Sequence, residues 1–131
     1  MQNKDYFFSQ TDDISISACP MLVENLGAAS VWGYYFCFEN NSDKKIQLVG
    51  KNWNITDSLG NVFHDGSAGF KGELPELEPG EYFEFTSEVP LSSQEAVFYG
   101  SCKIILNDEV LDVKMPTFCM SGDKNSQVVY N

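Results

Sequence analysis

Residues 31–39 alternate so strictly that they constrain the whole chain. Trp32, Tyr34, Phe36 and Phe38 fall on one face of an extended strand, and Gly33, Tyr35, Cys37 and Glu39 fall on the other. A helix would scatter the same four aromatics around its circumference, so this segment has to be a strand with one buried face. The pattern recurs in shorter runs. Residues 12–18 alternate Ile14 and Ile16 with serines, 46–56 form a strand bent around Gly50, and 61–64 form a short one. Residues 81–87 set Phe83 and Phe85 against Tyr82 and Glu84, and 97–106 and 110–118 form a hairpin across Asn107-Asp108-Glu109. Asn40-Asn41-Ser42-Asp43 and Asp57-Ser58-Leu59-Gly60 are turns.

No segment carries a helical apolar stripe. About seven strands at spacings of roughly ten residues, with nothing helical between them, predict an all-β antiparallel sandwich. The 131 residues make one domain, with a core over 12–120 and a polar tail at 122–131.

Charge narrows the function classes. Eight lysines, no arginine and nineteen acids give a net charge of −11. An acidic chain without a basic cluster is a poor binder of nucleic acid. It also lacks the guanidinium fork that clamps phosphates. No apolar run is long enough to span a membrane, and Met1-Gln2-Asn3-Lys4-Asp5 does not open a secretory signal. The expected location is the cytoplasm.

Cys19, Cys37, Cys102 and Cys119 are expected to remain thiols. Cys37 and Cys102 with Trp53 between them mimic the Cys–Trp–Cys spacing of antibody domains. Strand parity, however, turns Cys37 outward beside Glu39 and Cys102 inward beside Phe98 and Ile104. Zinc is not expected from one histidine and no paired-cysteine motif. His64 reads as a surface strand-end residue, and no nucleophile elbow accompanies it. No catalytic constellation emerges, so the chain reads as a non-enzyme without a cofactor.

The best candidate site is the connection at 65–80. Gly69 and Gly72 flank Phe70 in a glycine-rich stretch, and Glu73, Glu76, Glu78, Glu81, Glu84 and Glu88 follow without an intervening basic residue. Long connections of this kind tend to be functional or mobile. Gly69-x-x-Gly72 invites comparison with phosphate loops, but no helix begins after it to present its amides. The acids fit attraction to a basic partner, or weak binding of a divalent cation. Phe70, Tyr35 and Tyr82 are candidate exposed aromatics.

These residues resemble the ApaG domain family. The resemblance runs over 46–57 around Trp53, over Gly69-Phe70-Lys71-Gly72-Glu73-Leu74-Pro75, over 77–87 with its Pro-Gly-Glu and Thr-Ser elements, and through Gly100, Pro116 and Phe118. It implies an immunoglobulin or fibronectin type III-like sandwich. It also implies an association with cobalt and magnesium efflux in bacteria. In eukaryotes the domain is attached to an F-box protein and to a DNA-polymerase-delta-interacting protein, as a protein-interaction module. No family catalytic residues carry over. Two positions depart from the family pattern: Ser67 stands at the first glycine of G-x-G-x-x-G, and Lys51 stands where an arginine is usual.

The expectation is therefore a non-enzymatic interaction module. Its contact residues would be Gly69, Phe70, Gly72, Glu73, Glu76 and Glu78, with Phe70 as an apolar anchor and the glutamates selecting a basic protein. A second copy could instead pair at a sheet edge. The alternative is a binder of divalent cations, or of a metal–pyrophosphate or nucleotide ligand, at the 65–80 loop.

Overall fold

The structure, a computed structural model, describes residues 5–121. The tail expected at 122–131 lies outside the described residues. Among the described residues ten strands follow one another: β1 (Phe7–Thr11), β2 (Ile14–Leu26), β3 (Ala29–Asn40), β4 (Ile46–Asp57), β5 (Val62–Asp65), β6 (Glu76–Leu77), β7 (Tyr82–Leu91), β8 (Glu95–Leu106), β9 (Glu109–Lys114) and β10 (Phe118–Ser121). One sheet runs β1-β2-β3-β7. The other runs β10-β8-β4-β5, with β6 added to β4 and β9 to β8. All pairings are antiparallel, and the two sheets enclose the core of an all-β sandwich.

Each of the seven expected strands is present, and three differences raise the count. β1 was not expected, because only Phe7 and its stack on Phe118, 5.6 Å between ring centroids, tie it to the core. The 65–80 connection contributes the two-residue β6. The expected strand at 110–118 is broken into β9 and β10. Ser101 pairs with Lys114 but Phe98 pairs with Phe118, so the register slips by one residue between them. The buried Met115 sits in this break, its amide donating to the Gly100 carbonyl at 3.0 Å.

The aromatic row of β3 is the centre of the core, as its alternation predicts. Phe36 lies 5.0 Å from Trp53 and 5.1 Å from Phe98, and Phe98 stacks on Phe118 at 4.9 Å. Such ring pairs add about 1 kcal/mol each beyond the area they bury. Cys102 lies in this core and Cys37 on the outer face, as parity requires.

The bend in β4 is a bulge. Leu48 pairs with Ile104 while Gly50 pairs with Lys103, so one extra residue sits on β4. Ile46 and Leu48 point inward before it; Lys51, Trp53, Ile55 and Asp57 do so after it. The bulge therefore places a lysine in the core row, and that fixes the geometry of the neighbouring loop.

Candidate functional site

The 65–80 segment lies along the open edge of β4. The Gly69 amide donates to the Val49 carbonyl at 2.9 Å, the Lys51 amide to Ser67 at 3.2 Å, and the Leu48 amide to Pro75 at 2.9 Å. Phe70 and Glu73 close a tight turn through reciprocal bonds of 2.8 and 3.1 Å. Gly69 adopts φ 73°, and a Cβ there would come within 2.8 Å of the Glu73 carbonyl oxygen. Only glycine allows this close approach.

That turn drives Phe70 inward, which corrects its expected role as an exposed anchor. Phe70 is 1% exposed and packs on Phe38 and Phe85 at 5.4 Å, Phe83 at 5.7 Å and Trp53 at 6.0 Å. It plugs the space between Trp53 of β4 and Phe83 and Phe85 of β7, and burying so large an apolar side chain stabilises the fold. Gly69 is buried beside it, while Gly72, Glu73, Glu76 and Glu78 are exposed.

Behind the plug lies Lys51, 6% exposed. Its ammonium donates to the Gly69 carbonyl and sits 5.0 Å from the Phe70 ring, 5.8 Å from Trp53 and 5.9 Å from Phe85. Aromatic faces offset part of the cost of burying a cation. Asp65 is nearby. Burial would raise its carboxyl, but bonds from the Ser67 hydroxyl and amide, together with the fields of Lys51 and His64, hold it below the usual range. In the sequence Lys51 stands out only as a departure from a family pattern. The parity switch between Leu48 and Trp53 was the available signal of its burial.

Four of the loop's amides are not free for a ligand. The amides of Ser67, Gly69, Phe70 and Glu73 are already bonded, to the Asp65 carboxylate and to three carbonyls; the Lys51 ammonium is turned into the core, and the Lys71 ammonium donates to the Thr86 carbonyl. Nor do the acids converge: among the described residues no three of His, Cys, Asp and Glu gather as a metal site. His64 is exposed on β5, its Nδ1 2.9 Å from Asn54 Oδ1. Burial pushes the Cys102 thiol up to about 12, and burial also raises Cys37, so neither is an activated nucleophile.

The glutamates instead lie on the surface, Glu73, Glu76 and Glu78 in the 65–80 connection, Glu81 just before β7, and Glu84 and Glu88 on β7. Glu73, Glu76, Glu78, Glu81, Glu84 and Glu88 are all exposed. Of these six, only Glu76 has an ion-pair partner among the described residues, Lys45 at 3.7 Å. The Tyr35 hydroxyl donates to Glu84 Oε2 at 2.7 Å across the outer face, and that bond raises the phenol's pKa. Tyr82, 60% exposed, shares the face. A separate open groove of about 600 Å³ lies at the opposite sheet, lined by Thr56, Ser58, Val97, Tyr99 and Cys119 among others; nothing in the sequence had pointed to it.

Comparison with known proteins settles the family. A profile of the ApaG domain matches residues 24–105. The chain belongs to the ApaG domain family. It is 34% identical over 117 residues to Protein ApaG of Agrobacterium fabrum, covering 86% of this chain and 90% of that one. It is 32% identical over 115 residues to Protein ApaG of Mesorhizobium japonicum, with 84% and 88% coverage. Among solved structures, the putative ApaA protein of Bordetella pertussis superposes with a TM-score of 0.79 at 25% identity, covering 86% of this chain and 95% of that one. Among the described residues no helix is long and apolar enough to cross a membrane.

Proposed function

We propose that this ApaG-family chain is a non-enzymatic protein-interaction module, acting in the cytoplasm, whose contact surface is the acidic flank formed by 73–78 and β7. The observation that supports it most is the set of six exposed glutamates with a single ion pair among them. Like charges concentrated this way cost self-repulsion, which a basic partner would relieve. The buried Phe70 and Lys51 hold the loop in place and do not themselves touch the partner. Any link to cobalt or magnesium efflux would then run through a protein of that system and not through the ion. Neither nucleic acid nor membrane suits this charge.

The experiment is an affinity capture from cells, comparing wild type with Glu76→Lys/Glu78→Lys and Glu84→Lys/Glu88→Lys. The expected result is a partner recovered by wild type and lost by charge reversal, with unchanged melting temperatures. Equal recovery by all three proteins would remove this flank as the contact surface.

A further inference from the structure

Among the described residues β7 ends its sheet, with β3 on one side and no strand on the other. Two hydrogen bonds fix which of its main-chain groups face outward. The Asn40 amide donates to the Glu81 carbonyl at 3.0 Å, just before the strand starts, so odd-numbered residues turn toward β3. The Lys71 ammonium donates to the Thr86 carbonyl at 2.7 Å, so even-numbered residues turn away. Alternation of the ladder then points the amides of Tyr82, Glu84, Thr86 and Glu88 off the sheet. Pro90 has the same parity, and its missing N–H falls on the open edge, where proline costs a strand nothing.

We propose that an extended segment of a basic protein adds to β7 as a fifth strand of this sheet. The inference rests on the interaction reading above and specifies how the partner is held. Main-chain bonds to the even-numbered residues supply the ladder. Side chains of the added strand that share the outer face stand opposite Glu84, Thr86 and Glu88, so lysine or arginine opposite the two glutamates forms cross-strand charge pairs. A second copy of this chain is disfavoured as occupant: two β7 edges paired antiparallel about Thr86 would set Glu84 against Glu88 twice. Lys71 occupies the Thr86 carbonyl and lies 5.3 Å from the Phe85 ring. An incoming strand displaces it from that carbonyl.

The probe is a capped peptide of alternating lysine and valine, added to the full chain and followed by amide hydrogen exchange. Exchange at Glu84, Thr86 and Glu88 should slow by about tenfold or more at saturation. Thr86→Pro, which removes an outward N–H only, should weaken binding by about tenfold. Lys71→Ala should strengthen it. A peptide N-methylated at the positions that face the edge tests the same ladder without altering the protein, and should fail to bind. Binding that survives N-methylation and Thr86→Pro but is lost in Glu84→Lys/Glu88→Lys would overturn strand addition and leave the acidic contact surface standing. No binding, or binding indifferent to all three changes, would overturn strand addition; indifference to charge reversal would count against the interaction surface as well.

Discussion

The Lys51 ammonium donates to the Gly69 carbonyl inside a cage of Phe70, Trp53 and Phe85 rings. One buried lysine thus joins the β4 bulge to the loop beside the acidic flank. Lys51→Met keeps the stem and removes the charge, leaving that carbonyl without its donor. The expected cost is about 2 kcal/mol, read as a lower urea midpoint with an unchanged slope. A midpoint equal to wild type would mean that the ammonium is not needed to hold the loop.

Phe70 gives a sharper separation of stability from binding. Phe70→Ala should destabilise by about 3–5 kcal/mol, as large core truncations do. Phe70→Leu should fold with a smaller loss and recover partner as wild type does, because the ring is buried behind the contact surface. Loss of partner by a folded Phe70→Leu would restore the anchor role that the sequence suggested.

Gly100 is the other backbone position without latitude. Its φ is 153°, and a Cβ there would lie 2.2 Å from the Asn52 carbonyl oxygen and 2.9 Å from Trp53 Cα. Those atoms are backbone in the central pairing of β4 and β8, so they cannot step aside. Gly100→Ala should cost about 3 kcal/mol or prevent folding, measured by thermal melting of the purified protein. A melting temperature within error of wild type would contradict this packing.

Asp57 links stability to pH. The Asn61 side chain, and then the amides of Asn61, Leu59 and Gly60, hold its carboxyl below its ordinary 3.8. A depressed carboxyl stabilises the fold above its unfolded pKa and loses that contribution as pH falls through the folded one. Asp57→Asn should therefore be less stable than wild type at neutral pH, with the gap closing below about pH 4. A gap independent of pH would show that the charge of Asp57 is not what matters.

The open edge of β7 also predicts an exchange pattern in the free protein. Amides of Phe83, Phe85 and Ser87 should be protected by β3, and those of Glu84, Thr86 and Glu88 should exchange faster, by about tenfold or more. Uniform protection along β7 would mean that its edge is already covered.

Strand-forming residues were legible wherever one face is buried and one is wet. Trp32 to Phe38 shows this best, because each inward aromatic is separated by a residue that tolerates solvent. β1 was hidden because Phe7 alone of its side chains joins the core, and one half-buried side chain makes no period. The break at Met115 depends on Gly100 across the ladder, a pairing far away in sequence. The candidate site was half legible. Exposed glutamates follow from their charge, and all six lie on the surface. Phe70 did not follow: flanking glycines look like a surface loop, while their function here is to turn the ring inward. Lys51 was hidden for the opposite reason, since a lone lysine in a strand reads as an outward residue until the bulge shifts its parity.

The most direct test of the account is carboxyl footprinting of the intact protein with a carbodiimide and a glycine ester, purified and in cell extract. Labelling of Glu84 and Glu88 should fall in the extract, while Asp108, Glu109 and Asp112 on the β8–β9 hairpin should label equally in both. Equal labelling of Glu84 and Glu88 in the two conditions, or protection confined to the hairpin acids, would contradict the assignment of β7 and its acidic flank as the contact surface.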